Sequence, residues 1–436
     1  MGMEVIGPFL LLPFVVFLVL GIPVAVSIGL SCVSFLTLSG APIPPLSLLA
    51  TEMYDSVAKY ALLALPMFVL TGELFNRLNL TDKLIDLARA MVGWLRGGLA
   101  HVNILTSMFF AGISGSIFGD IASIGTVLIP SMVRERYGRA FSAAVTASSS
   151  IIGAIIPPST VMIIIGAHLD ISVGGLFAAG MLPGILIGLA LMITAFVISS
   201  LRGYGEMHRF EGPIALGISL AKAAPTLLIP VGLISGILLG IFTPTEGGAA
   251  AVIYTLVVGA VVYRNLTFDK IWAALRSTVV VTASALFIVS TAFVFSRIMT
   301  FHRVPQELLD LLLSISDERW LIILIVLVFF IIVGTFMDAL ANMIILGPLL
   351  YPVMVGGLGM HELQFGMMLI VGLLLGLLTP PLGICLFMVT PIARTTLGRT
   401  TAAVLPFLAA EFVVLLLIAY VPAVTLTIPR WVGFIS

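Results

Sequence analysis

In each half of this chain a tandem proline, four residues after a glycine, interrupts a long apolar run: Gly153-Ala-Ile-Ile-Pro157-Pro158 and Gly376-Leu-Leu-Thr-Pro380-Pro381. Proline removes a backbone donor and clashes with the preceding turn, so neither run can be one continuous helix. Glycine accepts dihedrals that side chains refuse. The runs around the breaks, about 140–168 and about 363–393, are long enough to cross a bilayer. Backbone that leaves the helix at membrane depth must bury its polar groups in protein or turn them toward water or a ligand. Gly153, Pro157, Pro158, Gly376, Pro380 and Pro381 are therefore the expected helix breaks of a membrane-embedded site.

Composition supports that setting. Of 436 residues, 60% are hydrophobic and 9% charged, more apolar surface than a soluble core can absorb. The polar-in alternation of a membrane β-barrel is absent, which leaves an all-α polytopic membrane protein. Zero net charge gives no reason to expect nucleic acid. Cys32 and Cys385 lie in apolar stretches and read as buried thiols. The start, MGMEVIG, lacks the basic region of a cleaved signal, so the first apolar stretch is expected to be a retained span.

In chain order, spans are expected at about 5–20, 23–38 and 57–76. A helix follows at 80–96, with Asp82, Asp86, Arg89 and Arg96 on one face and Leu84, Leu87, Met91 and Leu95 on another. Residues 100–133 are apolar at both ends, yet carry Gly112, Ser114, Gly115, Ser116, Gly119 and Asp120 in the middle. They read as a re-entrant hairpin. The first broken helix and a span at 174–201 complete a first repeat, 1–201, followed by a polar linker, 202–222. The second repeat, 223–436, has spans divided at Phe242-Thr-Pro-Thr-Glu-Gly-Gly248, a span at 277–300 and an amphipathic segment at 304–315. Its hairpin, about 319–355, precedes the second broken helix and a last span at 401–425.

The halves share an order. Asp120 and Pro130 find counterparts in Asp338 and Pro348, 218 residues on, and the breaks recur 223 residues on. Five spans per half make the second repeat inverted. With the N-terminus outside, fifteen of the 20 Lys and Arg fall inside and five, Lys59, Arg297, Arg303, Arg319 and Arg430, outside. Both termini are then outside. Inverted repeats with discontinuous helices mark secondary transporters, whose sites lie near the midplane.

Hydroxyls, carboxylates and exposed carbonyls suit a hard cation such as sodium, and positive half-helix starts attract an anion. One cation site is expected per repeat: Ser114, Ser116, Asp120, Ser159 and Thr160 in the first, Thr335, Asp338, Asn342 and Thr379 in the second. Substrate is expected between the hairpin tips, near Ser114, Ser116, Pro158, Ser159, Pro381 and Gly383. The plainer reading makes Asp120 and Asp338 helix N-caps, with Thr335-x-x-Asp338 as a capping box. Thr243-Pro-Thr-Glu246 reads as a capping box, Glu73 as the partner of Arg77, and Ser148-Ser149-Ser150 equally as packing or site. Glu411 lies in a span with no partner in view. The five histidines form no ligand cluster. No cofactor or catalytic constellation is apparent, so the chain is not expected to be an enzyme.

GISGSIFGD, IPSM, GAIIPPST, FTPTEGGAAAV, GTFMDALAN and LLTPPLG, in this order across the whole chain, resemble the DctM-like large membrane subunit of tripartite ATP-independent periplasmic (TRAP) transporters. That resemblance implies a permease of the bacterial inner membrane that imports organic acids with sodium by an elevator movement. It also implies two partners: a small four-helix membrane subunit and a periplasmic substrate-binding protein. Ile117-Phe118-Gly119 stands where the family usually carries small residues, and Cys385 where it often carries Asn. A single-component symporter for organic anions is the near alternative, and a channel the remote one.

Overall fold

The computed structural model describes residues 2–42, 45–205 and 212–435. Among the described residues the secondary structure is helical, with no strand. Eight helices are long and apolar enough to cross a membrane, and a ninth candidate is a pair, Leu49–Val57 and Tyr60–Arg77, bent by 48°. The halves of the broken helices fall short of a span because each stops at its break. Glu362–Gly376 has 15 residues and Ile384–Ala393 has 10.

The first hairpin runs up as Gly98–Ser114, turns at Gly115 and returns through Ile117–Asp120, a π-turn at Ile121–Gly125, and Thr126–Arg134. Gly115 has φ +55°, and a Cβ there would lie 2.8 Å from the Pro158 carbonyl oxygen. Only glycine tolerates both the dihedral and the approach. The first broken helix is Arg139–Ser150, a 3₁₀ turn at Ile151–Ala154, a cis Pro157–Pro158 bond, and a restart at Thr160–Leu169. Ser159 joins the halves: its Oγ donates to the Ala154 carbonyl (2.7 Å) and accepts from the Met162 amide (3.3 Å). Val173–Arg202 closes this half.

The second half repeats the plan. Pro213–Leu238 and Pro244–Val257 are divided where expected, and Thr243 and Glu246 form a reciprocal capping box. Phe268–Phe301, with 34 residues, is about 51 Å long. Hairpin two is Arg319–Phe336 and Ala339–Tyr351, and the second break holds a cis Pro380–Pro381 bond and Gly383 at φ +46°. The repeats interlock: Ile384–Ala393 packs on the return arm of hairpin one, and Thr160–Leu169 on that of hairpin two. There the His168 ring Nε2 lies 3.0 Å from the Ile344 carbonyl oxygen.

Several expectations shift. Residues 213–222, expected as polar linker, are the first turns of Pro213–Leu238, because Pro213 starts a helix without needing its missing N–H. Residues 206–211 of that linker lie outside the described residues. The helices Leu46–Val57 and Pro422–Val432 are additional, and the span expected from 277 begins at Phe268. The amphipathic helix ends at Val92, so Leu84 and Leu87 are buried while Met91 is 40% exposed.

The internal alignment also changes. Second arms start at Ser116 and at Asp338, each the N-cap of its arm and 222 residues apart. This register places Gly112 opposite Gly334, Asp120 opposite Asn342 and Pro130 opposite Pro352, close to the offset of the breaks. Pairing Asp120 with Asp338 and Pro130 with Pro348 matched charge and ring, whereas the residue that caps each arm sets the register.

Candidate functional site

Each hairpin tip is packed on the break of its own repeat. In the first, the Thr160 hydroxyl donates to the Gly115 carbonyl (2.9 Å), and a Cβ on Gly153 would lie 3.2 Å from the Ser116 carbonyl oxygen. Ser116 Oγ accepts from the Gly119 amide at 3.3 Å. Ser114, Ser116, Pro158, Ser159 and Thr160 are thereby brought together, with Pro158 and Ser159 fully buried.

In the second unit backbone meets backbone. A Cβ on Gly376 would sit 2.5 Å from Gly334 Cα and carbonyl carbon, so the two glycines set how closely tip and break approach. Asn342 Nδ2 donates to the carbonyls of Val333 (3.2 Å) and Met337 (3.4 Å), holding the end of the rising arm against the return arm. The Thr335 hydroxyl donates to the Ile331 carbonyl within its helix, and the Thr379 hydroxyl, in the break, donates back to the Leu375 carbonyl in the helix before it, both at 2.8 Å. Pro381 is exposed and Gly383 buried, so the second break reaches the surface of the chain while the first is enclosed.

The two acids differ. Asp338 is the cap: its Oδ1 accepts from the amides of Leu340 (3.0 Å) and Ala341 (3.4 Å). Thr335 lies inside the rising helix, so no capping box joins them. Asp120 is no cap. It lies within the return arm, 1% exposed, and among the described residues no donor is aligned with either carboxylate oxygen. Ser107 is the polar side chain beside it. Ser107 donates instead to Ser149 Oγ (3.0 Å), Ser149 donates to Asn103 Oδ1 (3.2 Å), and Asn103 Nδ2 donates to Thr146 Oγ1 (2.7 Å).

This chain of Asn103, Ser107, Thr146 and Ser149 was not singled out from sequence, apart from Ser149 within its serine triplet. A mid-helix Asn or Ser in an apolar run has no local signature, and the partners are 42 to 46 residues apart. A second buried carboxylate, Glu411, is fully enclosed in Leu397–Tyr420, with neither oxygen partnered among the described residues. Cys385, buried beside Ser150 and near Glu411, is where the two breaks adjoin. Glu73 pairs with Arg77 at 3.2 Å. Among the described residues no group of three or more His, Cys, Asp or Glu could hold a metal ion, so what each tip offers is hydroxyls, amides, carbonyls and a single carboxylate.

Comparison with known proteins resolves the family. The model of the tripartite ATP-independent periplasmic transporter DctM component matches residues 11–424. The chain belongs to this family. It is a multi-pass TRAP-type large permease. The sialic acid TRAP transporter large permease protein SiaM of Vibrio cholerae is 37% identical over 410 residues, 94% of this chain and 95% of that one. The C4-dicarboxylate TRAP transporter large permease protein DctM of Pseudomonas aeruginosa is 35% identical, over 88% of this chain and 90% of that one. The isethionate TRAP transporter permease protein DctMQ of Oleidesulfovibrio alaskensis is 35% identical over 94% of this chain and 64% of its own length. In fold, the chain is similar to the Alcanivorax borkumensis YdaH transporter, with a TM-score of 0.60, 18% identity and coverage of 98% and 99%.

Proposed function

We propose that this permease carries a small organic anion across the bacterial inner membrane, driven by sodium, with both termini on the periplasmic side. The observation that carries the reading is the pair of tip-and-break units. Each gathers oxygen-bearing groups at an interrupted helix where backbone carbonyls have lost their helical partners. In the first unit Ser114, Ser116, Ser159, Thr160 and Asp120 supply the cation's oxygens, and Asp120 is the buried carboxylate without a donor. In the second, Thr335, Asn342 and Thr379 do so, while Asp338 divides its work, Oδ1 capping the return arm and the other oxygen remaining for the ion.

The anion binds between the tips, at the helix starts following Ser116, Ser159, Asp338 and Gly383, whose positive dipole ends and first-turn N–H groups not taken by the caps favour it. Pro158 and Ser159 shape that space from beneath tip one, and Pro381 borders it from the open break. The substrates named for the relatives, sialic acid, C4-dicarboxylates and isethionate, share an anionic carboxylate or sulfonate, and a carboxylate is the class expected here; sugar acids and keto acids fall within it. Transport proceeds by an elevator movement of the two units against the remaining helices. A small four-helix membrane subunit and a periplasmic binding protein complete the system.

The test is uptake into proteoliposomes holding this chain and its small subunit, with and without the binding protein. Carboxylate uptake that needs the binding protein supports the tripartite reading. Uptake by this chain alone favours the single-component symporter, and single-channel currents would favour a channel.

A further inference from the structure

A cavity of about 420 Å³ lies away from the tips, at the helix ends on the face that the charge bias marks as inner. Four arginines line it: Arg139 at the start of the first broken helix, Arg202 at the end of Val173–Arg202, and Arg394 and Arg399 around the last turn before Leu397–Tyr420. The positive-inside bias accounts for arginines on this face. It does not account for four of them converging on one cavity from three segments far apart in sequence. Among the described residues no carboxylate lines the cavity, and none of the four arginines enters an ion pair. One N–H of Arg139 is used, Nη1 donating to the Ala393 carbonyl at 3.2 Å, and Arg202 Nη1 lies 3.5 Å from the Tyr204 hydroxyl. Among the described residues no acceptor takes the remaining guanidinium donors.

Two helix starts open into the same space. Arg139–Ser150 and Leu397–Tyr420 begin at Gly138 and Thr396, neither of which caps with a side chain. Their first N–H groups and positive dipole ends add to the arginines. Forked guanidinium donors, free helix-start amides and the absence of described counter-charge are what a phosphate group requires. We propose that this cavity is an anion site for a phosphate-bearing ligand, distinct from the transport site. The phosphate could come from an anionic lipid headgroup, since the cavity sits where helices leave the membrane, or from a free phosphate species.

The test is protection of the purified full-length chain against heat, titrated separately with short-chain phosphatidylglycerol, with inorganic phosphate and, as a blank, with short-chain phosphatidylcholine. Phosphatidylglycerol is expected to protect the wild type. At roughly fivefold per arginine, the triple variant R139Q/R394Q/R399Q weakens half-maximal protection by roughly 100-fold. The control R264Q/K270Q/R276Q, which removes three cations from the same face outside the cavity, leaves it unchanged. Should the glutamine variant fail to fold, R139K/R394K/R399K keeps the charge while losing the forked geometry, and weakening by it alone supports the site. Protection by inorganic phosphate with the same sensitivity identifies a free anion, and protection by the lipid alone identifies a headgroup. The proposal is overturned if neither probe protects the wild type, or if the cavity and control variants lose protection equally.

Discussion

Gly376→Ala isolates the contact that fixes hairpin two on its break. The new Cβ would lie 2.5 Å from Gly334 Cα and carbonyl carbon and 2.9 Å from the Thr335 amide nitrogen. Carbon atoms rest at about 3.5–4.0 Å, so the two backbones must part by about 1 Å. All three atoms are backbone, and no flexible side chain can yield. Overpacking of this kind costs about 1–3 kcal/mol, and the helix-propensity gain of alanine over glycine returns about 1 kcal/mol at most. The net expectation is a loss of about 1–2 kcal/mol. Gly232→Ala, in Pro213–Leu238, is the matched control, because a Cβ there meets nothing within 4 Å. It should stabilise by about 0.5–1 kcal/mol. The assay is denaturation of the detergent-solubilised protein, with both variants beside the wild type. Opposite signs support the reasoning, and a Gly376→Ala protein as stable as Gly232→Ala refutes it. Gly334→Ala meets the Leu373 carbonyl oxygen at 2.6 Å and shares the same contact, so its cost should not add fully to that of Gly376→Ala.

Other consequences follow from single residues. Asp338→Ala removes the cap of the return arm and should cost about 1 kcal/mol, whereas Asp338→Asn, still a good cap, should cost little; thermal denaturation separates them. Glu411→Leu should raise stability by about 1 kcal/mol or more, because an enclosed polar group with no hydrogen-bond partner among the described residues is replaced by an apolar side chain of similar size; an unchanged or lower midpoint would reveal a partner for the carboxyl group. Tyr137, in the turn before the first broken helix, accepts from the Leu99 amide at 3.2 Å, and burial pushes its hydroxyl up to about 12 from 10.0. Above pH 10 the unfolded chain ionises first, so this part of the stability is complete below that pH and lost toward pH 12. Tyr137→Phe should flatten that slope in a pH series.

What was readable in the sequence was local. The tandem prolines, the Thr243–Glu246 box and the Glu73–Arg77 pair each depend on residues within one or two turns, so spacing alone placed them. Register between the repeats was not local. Asp120 and Asp338 drew attention as matching charges, but a chain measures its repeat from where each return arm begins, and Ser116 fills that position in the first half. The polar chain from Ser107 to Thr146 is a contact between two apolar helices and leaves no trace in either taken alone. Leu46–Val57 was missed because Thr51, Glu52 and Asp55 break its apolar run; Glu52 pairs with Arg297 at 3.1 Å on the long helix Phe268–Phe301.

Sodium-coupled movement of an organic anion through the two tip-and-break units predicts a definite sodium dependence of reconstituted uptake. Wild-type uptake should need an inward sodium gradient, and Asp120→Asn should raise the sodium concentration for half-maximal uptake about tenfold or more, a loss of about 1.4 kcal/mol at the ion. Glu411→Gln, outside both units, should keep the wild-type sodium response. Uptake that runs equally well with potassium replacing sodium, or an Asp120→Asn protein with an unaltered sodium response, would contradict it.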